Sequence, residues 1–206
     1  MINQAVYNLS LTKQEFQQLA AIRPWQGSYW DTTPNPNIEA IKTKIRNQLE
    51  EVQNVCSYCG LKLGGTSNGE IEHIAPKRQS KNPEFTFTLK NLTLACHLCN
   101  FSEKKGQNET ISNKTKTYKK CDFLLVHPYF DDPNTHYEWT DNVVELLIQV
   151  RDNSPKGLFS INMFGLATPT MNELRAAQVR YAELKAARPL SIPDEQLLTD
   201  TLEYKE

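Results

Sequence analysis

Four of the five cysteines in this chain fall into two Cys-x-x-Cys units, Cys56-Ser-Tyr-Cys59 and Cys96-His-Leu-Cys99, with 36 residues between Cys59 and Cys96. Each unit turns two sulfurs toward one point, and four thiolates close the tetrahedral shell of a structural zinc ion. Any fold built on this staple must bring residues 56–59 and 96–99 together. A redox dithiol is the weaker reading, because two pairs are present and neither opens a thioredoxin-like unit. His97 sits inside the second unit, where four cysteines already suffice, and is expected to face solvent or make a secondary contact. Cys121 is left over and reads as a small buried or half-buried hydrophobe.

The N-terminus, Met1-Ile-Asn-Gln-Ala-Val-Tyr, has no basic patch followed by an apolar core, so no secretory signal is expected and a cytoplasmic location follows as the default. A reducing compartment favours metal over disulfide at paired cysteines. With 206 residues, 39% hydrophobic and 23% charged, the chain suits one domain with its own core. No run approaches the ~20 apolar residues of a membrane helix. Net charge is −1, but it is unevenly spread. Residues 71–120 carry ten basic against four acidic side chains, giving +6, and residues 121–206 carry seven against fourteen, giving −7. The basic excess lies on the segment that holds the cysteines, which makes a polyanion a natural ligand there.

Along the chain, residues 11–22 read as a short helix, with Leu11, Phe16, Leu19 and Ile22 near one face and Thr12 and Glu15 spaced as a capping box. Residues 23–36, with Pro24, Gly27, Pro34 and Pro36 among Trp25, Tyr29 and Trp30, read as a packed loop. A second helix is expected from Asn37, as N-cap, to about Gln53, burying Ile38, Ile41, Ile45 and Leu49. Residues 71–74 read as a short strand, and 86–94 carry mixed strand and helix-start signals. The polar run from Cys99 to Lys105 opens a helix, residues 107–120 form an exposed loop, and Phe123–Val126 make a buried strand. His127-Pro-Tyr-Phe-Asp-Asp-Pro133 signals turns. Strands over 143–150 and 158–164 are expected to form a hairpin across Asp152–Gly157, before a closing helix over 170–187 capped by Thr170 or Asn172 and an acidic tail over 188–206.

Between the knuckles lie Glu72-His73-Ile74-Ala75-Pro76-Lys77 and Asn91-Leu92, with Asn100 directly after Cys99 and Lys104 and Lys105 close behind. A histidine with a near-neutral pKa can take a proton from water, and a carboxylate suits a hard divalent ion. Glu72 and His73 point to opposite faces if they sit in a strand, and line one groove if they sit in a bent turn. Alone, a Glu-His pair is usually structural.

The order Cys-x-x-Cys, Glu-His-Ile-x-Pro-Lys, Asn-Leu, Cys-x-x-Cys-Asn, Lys resembles the HNH endonucleases of the His-Me finger, or ββα-metal, superfamily over about residues 50–106. That resemblance implies a zinc-stapled ββα-metal core, and with the N-terminal helices and the C-terminal hairpin plus helix read along the chain the expected fold is α+β. It implies a metal-dependent hydrolase of DNA phosphodiesters, with His73 as general base and Asn91 orienting the catalytic loop. It further implies Glu72 and Asn100 as ligands of a catalytic Mg2+ or Mn2+ ion, and Lys77, Lys104 and Lys105 near the substrate phosphates. Two positions depart from the usual pattern. Glu and Asn replace the commoner Asp or His with His, and the final lysine falls one or two places late.

The Glu-His-x-x-Pro-Lys centre, the downstream His127–Pro133 stretch and the expected C-terminal hairpin and helix are similar, more narrowly, to the HNH nuclease subunit of Septu antiphage systems. That likeness implies an ATPase partner of ABC or SMC-like type. Three segments follow: 1–54 as helical support, 55–120 as nuclease core with the four-cysteine zinc site, and 121–206 as a partner-docking region. The competing expectations are a non-catalytic zinc module that binds nucleic acid or protein, and an RNA or tRNA nuclease of the same fold.

Overall fold

The computed structural model describes residues 2–32, 35–65, 68–141 and 146–187. It is an α+β protein centred on a small hairpin. Helix α1 (Lys13–Ala21) starts at the expected capping box, with Thr12 Oγ1 accepting from Glu15 N and Glu15 accepting from Thr12 N. A single turn, α2 (Ser28–Asp31), lies within the packed loop. Helix α3 (Pro36–Val52) starts slightly earlier than expected: Asn35 is the N-cap and Pro36 occupies the first turn, where a missing N–H costs nothing. Its Ile38, Ile41, Ile45 and Leu49 are all buried, and the helix packs across the hairpin's second strand.

That hairpin pairs β1 (Gly69–His73) with β2 (Leu92–Cys96), running from Gly69 opposite Cys96 to His73 opposite Leu92. Every residue of β2 is buried, so this strand is the spine of the core. A short turn, α4 (His97–Asn100), follows it at once. The expected helix to Lys105 is not formed, because Phe101 leaves helical geometry and turns carry the chain to Gly106. The 107–120 stretch is not simply exposed either: Thr110, Ile111 and Tyr118 are buried, and β3 (Ile111–Asn113) pairs with β4 (Asp122–Phe123). Of the strand expected over 123–126 only Phe123 pairs, although Leu125 and Val126 are buried.

The expected C-terminal hairpin is replaced by another. Strand β5 (Tyr137–Asp141) pairs with β6 (Leu146–Val150), and residues 158–164 lie in helix α5 (Pro155–Phe164). Ser154 caps that helix by accepting from Gly157 N, Pro155 occupies its first turn, and Gly165 at φ 62° closes it in the left-handed region. These start and stop signals outweigh the β-like apolar run between them. Residues 143–145 of the expected strand, and the acidic tail 188–206, lie outside the described residues.

Helix α6 (Pro169–Ala187) forms where expected, but Leu174, Tyr181 and Leu184 are exposed while Met171, Arg175 and Ala176 face inward. Gln178 ties it to the first cysteine knuckle, donating to Gly60 O at 3.0 Å and accepting from Lys62 N at 2.8 Å. One hydrophobic cluster draws on the N-terminal helices, the hairpin and the C-terminal segment together. Among the described residues no helix is long and apolar enough to cross a membrane.

Burial gives a direct contrast. Ile45→Ala is expected to cost about 2–5 kcal/mol in denaturant unfolding, whereas Leu184→Ala should stay within about 0.5 kcal/mol. Comparable losses for the two would mean that α6 packs on the face opposite to the one described.

Candidate functional site

The four cysteines of the two knuckles converge. Their sulfurs lie within 4.8 Å of one another and all four residues are buried. Cys59 Sγ and Cys96 Sγ are 3.8 Å apart, and two ligands of a tetrahedral zinc with Zn–S bonds of ~2.3 Å are separated by ~3.8 Å. The donor set therefore fits zinc. Gln53, at the exit of α3, holds this corner in place: its Nε2, with two hydrogens, lies within 2.9 Å of three acceptors, Val55 O, Ser57 Oγ and Leu94 O, and its Oε1 accepts from Leu94 N.

Strand β1 turns Glu72 and His73 to opposite faces, as a pleated strand requires. The His73 Nε2 lies 3.1 Å from the Thr86 carbonyl oxygen, which can only accept, so Nε2 carries the proton and the lone pair is on Nδ1. Burial, with Lys77 nearby, holds the ring well below the usual histidine pKa against the opposing Thr86 bond. The imidazole is thus held in the neutral form with its lone pair on Nδ1. It is also covered: its exposure is 5%, and the Trp30 ring from α2 meets it edge-on at 4.7 Å between centroids. Asp31, next to Trp30, pairs with Lys77 at 2.6 Å. Gly27 lies so close to the Lys77 carbonyl that a Cβ there would collide with it.

Asn91 is fully buried and every polar atom of its carboxamide is used. Oδ1 accepts from Ala75 N at 2.6 Å and from the Tyr118 hydroxyl at 2.9 Å. Nδ2 donates to Ala75 O at 3.1 Å and to Phe85 O at 3.0 Å.

On the other face of β1, Glu72 meets Lys105. The ammonium lies 2.7 Å from Glu72 Oε1, in a charge contact that is not a well-directed hydrogen bond. It also donates to His73 O at 2.9 Å and to Gly106 O at 3.3 Å. Lys105 has no exposed surface. Burial raises the Glu72 pKa, opposed by the Lys105 charge.

Residues 56–107 match the family model for HNH endonucleases. The segment is an HNH domain. The chain is also 32% identical over 173 residues to Septu protein PtuB of Bacillus mycoides (strain KBAB4), an alignment covering 74% of this chain. It spans 57% of that relative's length.

Within the HNH domain, the placement of several expected site residues differs from the sequence reading. Glu72 and Asn100 each have a side-chain partner of their own. Glu72 is committed to Lys105, and Asn100 Nδ2 donates to Glu70 Oε2 at 2.7 Å. Among the described residues, the cysteine cluster is the only group of three or more His, Cys, Asp or Glu side chains placed to hold an ion. As arranged, the pair does not fit a catalytic divalent ion, because a buried ammonium already supplies the positive charge at Glu72. Lys105 is likewise no phosphate contact. Lys104 donates to Phe164 O at the end of α5, and Lys77 is paired with Asp31. His97 is exposed and its Nδ1 lies 2.7 Å from Glu70 Oε1. Cys121 is buried, as expected.

Sequence reading misses Glu70, Thr86 and Tyr118, and takes Trp30 for part of a packed loop alone. The Thr86 contribution is a backbone carbonyl and leaves no side-chain signal. Tyr118, an aromatic among four lysines, carries the signal that was available.

Two outcomes follow from this geometry. Lys105→Met leaves the Glu72 carboxylate buried without its counter-charge and should destabilise the fold by about 3–5 kcal/mol near neutral pH. Glu72 would then have a folded-state pKa raised above its unfolded value, so its share of the loss should shrink as pH falls through the folded pKa and vanish below the unfolded one, leaving only the smaller cost of the unmet His73 and Gly106 carbonyls. A pH-independent loss in urea titrations would refute the pairing. Cys99→Ser should remove bound zinc from the purified protein, as read by elemental analysis, and lower the melting temperature.

Proposed function

We propose that the protein is an HNH endonuclease that hydrolyses phosphodiester bonds in DNA as the effector of an antiphage system. The observation that carries this reading is the state of His73: neutral, with Nε2–H held by a carbonyl and the Nδ1 lone pair available, inside an HNH domain. His73 Nδ1 accepts a proton from water as its oxygen attacks phosphorus in line. The bond to the 3′-oxygen breaks and that oxygen takes a proton from solvent. Beside the loop that follows His73, a cleft of about 870 Å³ is lined by Lys77, Arg78 and Lys81, with Gln26, Ser28 and Asn108 and one carboxylate, Asp31. Those cations neutralise phosphates and position the backbone without reading sequence.

The +6 balance of residues 71–120 supports a nucleic acid over other substrates, and the likeness to a Septu protein supports the defence role. The acidic C-terminal segment, 121–206, is the candidate docking region for an ATPase partner. With a net charge of −1, the isolated chain has weak long-range attraction for DNA, and a partner supplies affinity.

Supercoiled plasmid incubated with the purified chain, in Mg2+ or Mn2+ buffer and in EDTA, tests the enzyme directly. His73→Ala should abolish nicking while zinc content stays near wild type and the fold persists at a lowered melting temperature, because the buried ring leaves a cavity. A His73→Ala protein that nicks at the wild-type rate sinks the assignment, and binding without cleavage by the wild type supports a zinc-stapled binding module instead. Trp30→Ala should make His73 react faster with diethyl pyrocarbonate, read by peptide mass spectrometry. An unchanged rate would mean that Trp30 is not the cover.

A further inference from the structure

We propose that Tyr118 and His127 are positioning residues of the nuclease site, which act through Asn91 to fix both the loop that carries His73 and the carbonyl that sets its tautomer. This rests on the nuclease reading for its effect on rate, but the geometry stands by itself.

The chain of contacts has one self-consistent set of proton positions. The Tyr129 backbone N–H, which can only donate, lies 3.1 Å from His127 Nδ1, so Nδ1 holds a lone pair and Nε2 holds the proton. Nε2 lies 2.9 Å from the Tyr118 hydroxyl and donates to it. The hydroxyl's single proton then goes to Asn91 Oδ1, 2.9 Å away. With its oxygen held by Tyr118 and Ala75 N, the Asn91 amide has one orientation, and its Nδ2 points at Ala75 O and Phe85 O. Ala75 is two residues past His73, and Phe85 precedes Thr86, whose carbonyl receives His73 Nε2–H. The Asn91 carbonyl also accepts from Ile74 N at 2.9 Å. One carboxamide thus clamps the chain on both sides of the imidazole.

The far end of the relay is equally fixed. The His127 ring stacks on Phe130 at 4.1 Å between centroids with 12° between planes, and meets Phe123 edge-on at 4.4 Å. Its backbone N–H donates to Asp131 Oδ2 at 2.8 Å, and Asp131 pairs with Lys156 on α5 at 2.8 Å. His127, Asn91 and Thr86 have no measurable exposure. A tyrosine that only filled space would be matched by phenylalanine; the hydroxyl here sits between two buried polar groups, and its loss strands the His127 donor.

The full-length, zinc-loaded chain tests this in two ways. In 15N-histidine spectra, wild-type His73 should show protonation at Nε2, and Tyr118→Phe should shift or split that signal. In plasmid nicking, Tyr118→Phe should lower kcat about tenfold or more while KM stays within about twofold. His127→Phe should give a similar loss that His127→Gln, which keeps an N–H donor, partly restores. The two losses should not add: Tyr118→Phe with His127→Phe should be no slower than Tyr118→Phe alone. An unshifted His73 signal with wild-type kcat in Tyr118→Phe overturns the proposal, and so do additive losses in the double variant. If Tyr118→Phe does not fold, the His127→Phe and His127→Gln pair carries the same comparison. If His73→Ala nicks like wild type, the nuclease reading fails, and the spectral shift still decides whether the relay holds His73.

Discussion

The convergence of four buried cysteine sulfurs is the constraint on which the rest of this structure depends. A two-stranded hairpin is marginal alone in water, and β1–β2 is only five residue pairs long. What holds it is that Cys96 ends β2, Cys99 lies in the turn directly after it, and both meet Cys56 and Cys59 at the exit of α3. The knuckles therefore join the longest N-terminal helix to the start of the turn that leads to Lys105. Gln53 reinforces the joint by bonding to both knuckle-side strands of backbone, at Val55 and Leu94, and Gln178 brings α6 down onto the same knuckle. A zinc ion held there would supply folding free energy to every element that touches the corner.

Inside that frame, buried polar groups rather than apolar packing give the site its shape. Asn91 would cost several kcal/mol if its carboxamide were left unpaired in the core; instead all its donors and acceptors are met, and meeting them fixes Ala75 and Phe85. The Lys105–Glu72 pair works by the same logic with charges. Its removal in part is costly, while the intact pair need add little net stability. Such a pair is better understood as fixing where β1 and the 101–107 turns meet, because Lys105 also holds the His73 and Gly106 carbonyls. The residues that orient His73 thus come from three places: the loop after β1, the stretch before β2, and the segment from Tyr118 to His127.

How much of this is legible in the sequence depends on whether a signal is local. The cysteine spacing, the Thr12–Glu15 box and the Ile38–Leu49 periodicity are local, and each forms as read. The 158–164 run misleads because its apolar residues suit either period, while Ser154-Pro155 and Gly165, which decide the matter, lie outside it. The site shows the same division. The approximate cover of the HNH pattern can be read from motif order, yet the partners of its residues cannot. That Lys105 turns inward to Glu72, and that Asn100 meets Glu70, depends on where the 101–107 turns place each side chain. The Thr86 carbonyl that sets the His73 tautomer has no sequence signature at all.

The contacts around the base differ in how readily they yield, and the difference follows from burial. The Asp31–Lys77 pair has a two-thirds exposed carboxylate, and exposed ion pairs contribute at most about 1 kcal/mol. Lys77 can therefore exchange Asp31 for another anion at little cost, while Trp30 keeps its own packing against Phe87. The Lys105–Glu72 pair has no such route: both groups are buried, and a ligand that took one would strand the other. The Lys77 side of His73 can therefore change partners, whereas the Lys105 side is a fixed wall.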